Sequence, residues 1–429
     1  MAADRPVIYL HIGAMKTGTT HLQELLTANA DALRSSGYLF PLTRGRYSQT
    51  LAARDVLNMS GDAVTLEKAR GEWGRTSELM MNFEGEASVF SMEFLSFARR
   101  RAAGRIVKSL EGAEVHGILT VRDAASAIPA QWQQAMQSQR TTSWNDFVEQ
   151  IMADPPDYDS WGAKTFRRAQ DIPRMLRAWL PHIPPERFTV VTLPRPGSPR
   201  SLLWERFAST IGIDPQTASK PAPKSNESIG AASAELMRRV NEQLDDIRIS
   251  DYRGTMRHTL SIKILSDRAS TEGKAPTNAA FRAFAAGVNE RTRAAIESSG
   301  VRVVGDLDDL PTDVESARTG EGDALPSPDE SEVVAAAAYA LPRMRDVVSS
   351  RAKALRRTGE KISARKVLAD LPEAPDEPAV IARWNASSDA TETAVADLTA
   401  TCRTAIDLGC RLRDASGGSE SGGRRFRWK

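Results

Sequence analysis

Residues 9–22 read YLHIGAMKTGTTHL, and they set out a strand, a loop and a helix in direct succession. The apolar run at 6–12 is typical of a short buried strand, which ends at Gly13. A helical pattern follows at once, because leucines recur on one face at positions 22, 25, 26 and 33. Lys16 and three threonines lie in the glycine-containing loop between them. Such a loop presents backbone N–H groups at a helix N-terminus, where the dipole favours anions. We therefore expect an anion-binding loop here.

Three further apolar runs predict strands in the first 310 residues. They are 87–92 (ASVFSM), 115–121 (VHGILTV) and 188–193 (FTVVTL). Amphipathic helical patterns lie between and after these runs, for example Leu236, Val240, Leu244 and Ile247. Continuous apolar strands that alternate with helices indicate a parallel sheet covered on both faces, which is an α/β fold.

The composition of the whole chain bounds the classes of function. Its 429 residues are 41% hydrophobic and 26% charged, with a net charge of +2, so the chain is not wholly disordered. Near-neutral charge argues against a dedicated nucleic-acid partner. The longest apolar run, 333–341, is about half of what a membrane span needs. The N-terminus shows no secretory pattern, and we expect a cytoplasmic protein.

Cysteine and histidine are sparse, which argues against a metal site. Cys402 and Cys410 would lie about 12 Å apart on one helix, too far for a disulfide bond. Their spacing fits no zinc pattern, and the five histidines form no metal-binding pair. We therefore expect no bound metal.

The composition changes near residue 312. Of the 26 aromatic residues, 22 precede this point, so the later part has little with which to build a core. We predict an α/β domain at 1–312, a linker rich in Pro, Gly, Asp and Ser at 313–330, and a helical, partly disordered tail at 331–429. A chain that ends near residue 315 is then expected to fold alone.

The segment AMKTGTTHL resembles a known loop, the 5′-phosphosulfate-binding loop P-K-[ST]-G-T-T-x-L of sulfotransferases that use 3′-phosphoadenosine 5′-phosphosulfate (PAPS). Met15 stands where the family has proline. The stretch at 187–215 is similar to a late strand and helix of many bacterial sulfotransferases, and KSNESIG and VVGDLDDLP look like their closing segments. The resemblance covers about residues 6–312, and the family's R-K-G element is not recognisable. It implies a three-layer P-loop NTPase-like fold, here followed by the helical tail.

The resemblance also implies roles for individual residues. Lys16 would stabilise charge on the leaving phosphate oxygen, and Arg122, at the end of a later strand, would bind the 3′-phosphate. The family's serine on the next helix is expected at position 130, which is alanine here, and Ser126 one turn earlier is the candidate substitute. The 5′-phosphate would be held by the loop residues Thr17, Gly18, Thr19 and Thr20.

A general base should follow the second strand, as it does in the family. Glu93 occupies that position, although a first-turn acidic residue is also favoured by the helix dipole alone. His11, at the end of the first strand, is the rival base, and its alternative is a histidine of the core. Residues 43–84 and 140–171 are expected to face the acceptor, whereas Arg167, Arg168 and Arg174 are interpreted as a solvated helix face.

The function implied is transfer of a sulfuryl group from PAPS, as cosubstrate, to a hydroxyl or amine of a carbohydrate, lipid or small metabolite, without a metal. Two alternatives stay open. A P-loop small-molecule kinase or nucleotide hydrolase would need ATP and Mg²⁺, but Gly18 lacks the following Lys-Ser/Thr of a Walker A motif. A non-catalytic protein that keeps the fold is the other alternative, and Ala130 is its best support. The acceptor and the oligomeric state are left open by the sequence.

Overall fold

The computed structural model of the chain describes residues 5–222, 229–313 and 324–415. Its strands are β1 (Val7–His11), β2 (Tyr38–Leu39), β3 (Thr43–Arg46), β4 (Ala87–Ser91), β5 (Glu114–Val121), β6 (Phe188–Thr192) and β7 (Arg302–Val304). All of these except β3 form one parallel sheet in the order β2-β4-β1-β5-β6-β7. The α/β class and the parallel sheet are thus confirmed. The edge strands β2 and β7, of two and three residues, are too short for a sequence pattern to reveal them.

Helices connect the strands and continue beyond the last of them. Up to β6 they are α1 (Thr19–Ala28), α2 (Ala30–Ser35), α3 (Ser48–Val56), α4 (Ala63–Ala69), α5 (Glu72–Met81), α6 (Arg100–Lys108), α7 (Ala124–Met136), α8 (Trp144–Met152), α9 (Trp161–Ala169) and α10 (Ile172–Trp179). After β6 they are α11 (Leu202–Ile211), α12 (Ala231–Glu242), α13 (Ile249–Tyr252), α14 (Ala279–Ser299), α15 (Glu330–Arg357), α16 (Ala364–Ala369), α17 (Glu377–Asn385) and α18 (Ala390–Ala415). Short 3₁₀ helices lie at Glu93–Phe97, Pro185–Arg187, Pro215–Thr217, Leu265–Arg268 and Leu307–Asp309, and a π-helix lies at Arg253–Ile264. Over the described ranges, no helix combines the length and the apolar character that crossing a bilayer requires.

Successive strand residues belong to two separate apolar clusters, one on each face of the sheet. Ile8 and Leu10 of β1 lie in the cluster that includes side chains from α3, α5, α6, α10 and α14. Tyr9 packs on the other cluster, to which α1, α2 and α11 contribute Leu26, Leu33 and Phe207. Burial of one such Leu or Phe side chain stabilises the fold by about 1.5–3 kcal/mol. The sheet is therefore held by helices on both faces.

The chain divides into two compact units by its contacts, and the division does not follow the predicted domain ranges. Among the described residues, the first unit comprises 5–128, 150–222 and 279–313, and it contains the sheet. The second comprises 129–149, 229–278 and 324–415. Within this second unit α15 lies against α18 and α12, and α18 contacts the π-helix.

The expectation that the C-terminal region lacks a core differs from what the structure shows. Helix α15 buries Val333, Leu341, Met344 and Val348, and α18 buries Leu398, Cys402 and Ile406. Small and aliphatic residues thus build this core, so the scarcity of aromatic residues did not indicate that a core is absent. Residues 416–429, the end of the tail predicted to be partly disordered, and most of the predicted linker at 313–330 lie outside the described residues.

Candidate functional site

Residues 12–18 form the loop between β1 and α1, and backbone hydrogen bonds tie it to its neighbours. Ile12 N donates to Ile118 O at 2.8 Å, and Ala14 N donates to Thr120 O at 3.0 Å. Met15 N donates to Ala169 O at 3.3 Å, at the end of α9. Strand β5 and α9 therefore fix the path of the loop.

The start of α1 is electrostatically open to an anion. Gly18 is its N-cap residue and, among the described residues, no side chain caps this helix. Its first turn contains no acidic side chain. The positive end of the helix dipole is thus left for a bound group of opposite charge.

Three loop residues adopt left-handed backbone conformations. Gly13, Lys16 and Gly18 have φ angles of +76°, +67° and +80°. A Cβ atom at position 13 would lie 2.8 Å from Cβ of Glu93, so glycine allows Glu93 to pack directly on the loop. Lys16 holds this conformation without that freedom, at a strain of roughly 1–2 kcal/mol. Such strain is concentrated at functional sites.

A chain of buried hydrogen bonds runs beneath the loop, across β4, β1 and β5. Ser91 Oγ lies 2.7 Å from His11 Nδ1, and His11 Nε2 lies 3.2 Å from Thr120 Oγ1. Thr120 Oγ1 is in turn 2.6 Å from Thr17 Oγ1, and Thr17 donates to Ala14 O at 2.6 Å. The Thr17 hydroxyl is thereby used to brace the loop from below.

The direction of this chain places a proton on Nε2 of His11. Since Thr17 gives its proton to a carbonyl, Thr120 donates to Thr17 and His11 Nε2–H donates to Thr120. When the ring is neutral, His11 Nδ1 accepts from Ser91. The ring is fully buried, and burial lowers the pKa of His11 to about 3. The geometry fits the alternative of a core histidine rather than a base.

Glu93 begins the 3₁₀ helix that follows β4, and its carboxylate lies beside α1. Gln23 Nε2 donates to Glu93 Oε2 at 2.9 Å. The side chain is half-buried and packs close to Gly13. Gln23 was not identified from the sequence, because a contact over 70 positions has no local signal.

Arg122 follows β5 and reaches the same loop. Its Nη1 donates to the backbone O of Lys16 at 3.3 Å. Burial lowers the pKa of Arg122 and the adjacent Asp123 raises it. Arginine remains charged at neutral pH, so a half-buried cation lies next to Lys16.

Ser126 lies in the first turn of α7, where its hydroxyl donates to Asp123 Oδ2 at 3.0 Å. Asp123 Oδ1 also accepts from Ala125 N at 3.0 Å and from Asn289 Nδ2 at 2.9 Å. Because a serine hydroxyl has one proton, Ser126 as it stands has none to offer a phosphate. Ala130 follows one turn later on α7.

The candidate groups Lys16, Glu93 and Arg122 come after β1, β4 and β5, which are adjacent in the sheet. Carboxyl ends of parallel strands meet at one edge of the sheet, where Arg122 contacts Lys16 and Glu93 packs beside Gly13. Strand β1 also has β4 as its neighbour on one side and β5 on the other, so the connections that follow these strands run in opposite directions along the sheet from this point. Ligands of open α/β sheets commonly bind outside the carboxyl ends of the strands, at such a point of divergence.

Of the other loop threonines, Thr19 is buried and Thr20 is exposed. Across the described parts of the chain, no three His, Cys, Asp or Glu side chains are grouped so that they could hold a metal ion. Comparisons of the chain with family models, with curated proteins and with solved structures found no match.

Proposed function

We propose that this protein is a PAPS-dependent sulfotransferase with a P-loop NTPase-like fold. The observation that carries the proposal is the arrangement of Lys16, Glu93 and Arg122 after three adjacent parallel strands, around a loop at an uncapped helix N-terminus. Two cations and one carboxylate match the needs of sulfuryl transfer, which are alignment, neutralisation of charge and removal of one proton.

Lys16 and the N-terminus of α1 would bind the 5′-phosphate and stabilise the charge that develops on it. PAPS would supply the sulfuryl group, whose S–O bond to that phosphate breaks as the bond to the acceptor oxygen or nitrogen forms. Arg122 would bind the 3′-phosphate with the N–H groups that remain beside its bond to Lys16 O.

Glu93 would receive the proton of the acceptor hydroxyl or amine. Gln23 donates to Oε2 of Glu93 and so fixes the orientation of the carboxylate. This leaves Oε1 for the acceptor. Gln23 is a positioning residue in this proposal, because it acts through Glu93.

Asp123 favours this proposal over a Mg²⁺-dependent kinase or hydrolase. It is the one aspartate that the sequence offers at a strand end near the loop, yet its carboxylate accepts hydrogen bonds from Ala125 N, Ser126 and Asn289. A carboxylate engaged in this way is a poor Mg²⁺ ligand, whereas transfer of a sulfuryl group from PAPS is proposed to proceed without the metal.

Calorimetry with 3′,5′-adenosine bisphosphate, the other product, tests the proposal in the absence of Mg²⁺. We expect micromolar binding by the parent, and binding at least about tenfold weaker in Lys16→Ala and in Arg122→Ala, since a lost charge-assisted contact costs about 1.5–3 kcal/mol. Arg5→Ala, which removes an exposed cation before β1, is the matched control and should bind like the parent. Binding of ATP with Mg²⁺ but not of the bisphosphate would overturn the proposal.

A further inference from the structure

A groove of about 500 Å³ lies beside the 3₁₀ helix Glu93–Phe97, within the first unit. Its walls are formed by the segment 57–60, by Phe97 and Ala98, by the start of α6 and by the end of α9. We call it the basic groove because four arginines line it: Arg99, Arg101, Arg105 and Arg168. Its lining includes residues from both stretches that the sequence analysis expects to face the acceptor, 43–84 and 140–171.

Within the described part of the chain, no carboxylate neutralises the positive charge of the basic groove. All four arginines are exposed, and none of them forms an ion pair with a carboxylate of the described residues. No Asp or Glu is among the described residues that line it. Although Arg168 is exposed overall, partial desolvation of its guanidinium lowers its pKa, and the nearby charge of Arg99 lowers that pKa further. An anionic ligand would relieve this mutual repulsion.

Arg168 is held in place by an aromatic ring. Its guanidinium lies over Phe97, 4.5 Å from the ring centroid, and Phe97 stacks on Phe94 with centroids 5.6 Å apart. Arg54 lies over Phe94 at 5.7 Å. A stacked guanidinium keeps its edge N–H groups free to pair with a planar anion. The interpretation of Arg168 as part of a plain solvated face is therefore replaced by one of a positioned cation.

Arg174 braces two walls of the groove against each other. Its guanidinium donates to Ser96 O at 2.5 Å, within the 3₁₀ helix, and to Ala98 O at 3.3 Å, directly after it. It also donates to the backbone O atoms of Arg167 at 2.9 Å and Arg168 at 3.1 Å, near the end of α9. The distance between Phe97 and Arg168 is thus fixed by the backbone as well as by stacking.

The basic groove borders the site proposed above on two sides. Phe97 comes four residues after Glu93 in the same 3₁₀ helix, which separates them by about 8 Å. Arg168 precedes Ala169, whose O accepts from Met15 N, and Gln170 Nε2 donates to Met15 O at 2.8 Å. A ligand longer than one sugar ring can therefore occupy the groove and still reach Glu93.

We propose that the basic groove binds the acceptor of the sulfuryl group, and that this acceptor is an acidic oligosaccharide with carboxylate or sulfate groups. The inference rests on the proposed function. Such a ligand supplies hydroxyls for transfer together with planar or tetrahedral anions for the arginines. Nucleic acid fits less well, because bases need open aromatic faces, whereas Phe97 and Phe94 are covered by Arg168 and Arg54.

Titration calorimetry with defined probes tests the proposal. The probes are a heparin hexasaccharide, an oligogalacturonate hexamer, uncharged maltohexaose and a single-stranded DNA decamer, each at 50 and 150 mM salt. The parent should bind at least one acidic sugar more tightly than the DNA and should not bind maltohexaose. Binding of the heparin hexasaccharide alone would indicate recognition of sulfate, whereas binding of the oligogalacturonate would indicate recognition of carboxylate.

The double variant Arg101→Gln/Arg105→Gln should bind the acidic sugar at least about tenfold more weakly. Arg356→Gln/Arg357→Gln on α15 removes the same charge from exposed positions elsewhere, and it should bind within twofold of the parent. Equal weakening in both doubles, tighter binding of DNA, or no binding of either sugar would overturn the proposal. Neither double variant should change the affinity for 3′,5′-adenosine bisphosphate. If the parent itself does not bind the bisphosphate, that result counts against the proposed function and not against sugar binding by the groove.

Discussion

The hydroxyls of Thr17 and Thr120 lie 2.6 Å apart, although 103 positions separate the two residues in the chain. This contact joins the loop after β1 to strand β5, and it continues through His11 to Ser91 on β4. One buried line of polar atoms thus fixes the loop relative to three strands. The loop's shape depends on it.

Thr17→Val should destabilise the protein and loosen the loop. The change leaves Thr120 with a buried donor and no acceptor, which costs about 1–3 kcal/mol in the free energy of unfolding. Urea unfolding and calorimetry with 3′,5′-adenosine bisphosphate measure both effects. Thr17→Ser keeps the hydroxyl and should restore most of the loss, and Thr20→Val, at an exposed position, should leave the stability near that of the parent. Equal stability of Thr17→Val and the parent would contradict the bracing role.

His11 should make stability fall as the pH is lowered. Its folded pKa of about 3 lies below the value near 6.5 of an unfolded histidine, so between these values the unfolded chain binds more protons. The group therefore contributes stability that declines by up to about 1.4 kcal/mol per pH unit below pH 6.5. His11→Gln removes this contribution, so urea unfolding at pH 5, 6 and 7 should show a shallower decline. Parallel profiles for the two proteins would argue against a buried neutral ring.

Glu93→Gln should abolish most of the transfer without loss of nucleotide binding. A positioned general base contributes about 10²–10⁴-fold to the rate, so kcat should fall by at least about a hundredfold. Gln23→Ala should lower kcat less and leave KM for PAPS unchanged, because Gln23 only orients the carboxylate. The assay follows formation of 3′,5′-adenosine bisphosphate from PAPS with an acidic oligosaccharide as acceptor. Full activity in Glu93→Gln would exclude Glu93 as the base.

Gly13→Ala separates backbone strain from the contact with Glu93. A methyl group at position 13 would lie 2.8 Å from Glu93 Cβ, whereas one at Gly300, with a similar φ of +70°, meets no atom within 4 Å. Both changes force a left-handed alanine, at about 1–2 kcal/mol. Only Gly13→Ala should add a further 1–3 kcal/mol or so of overpacking, as measured by urea unfolding. Equal losses in the two variants would show that Glu93 does not pack on the loop.

A chain that ends at residue 313 should fail to fold cooperatively, contrary to the expectation from sequence. This truncation removes α15 and α18, which pack on α12 and on the π-helix, two elements whose buried side chains include Leu236, Val240, Met256 and Leu260. A chain that ends at residue 415 keeps these contacts and should melt like the parent. Thermal unfolding followed by circular dichroism distinguishes the two. A cooperative transition in the shorter chain would show that the C-terminal helices are dispensable.

The sequence predicts the parts of this molecule that depend on local pattern. Buried parallel strands are continuous apolar runs, so β1, β4, β5 and β6 were found, and the loop with Lys16 was found by its glycines. Gln23 and Arg174 were missed as site residues because their roles arise from contacts with distant segments. The second unit was missed because counting aromatic residues overlooks helices that pack through Ala, Val and Leu.

The position of β1 in the middle of the sheet has a consequence for the order of synthesis. The strand precedes its partners β4 and β5 in the chain, and Ala169, which the loop after β1 contacts, is added still later. Non-local strand pairing of this kind is slow, because chain closure precedes any gain from contacts. The loop at residues 12–18 can thus reach its full set of contacts only after residue 169 has been added. Nascent chains shorter than this should carry the loop sequence without its folded shape.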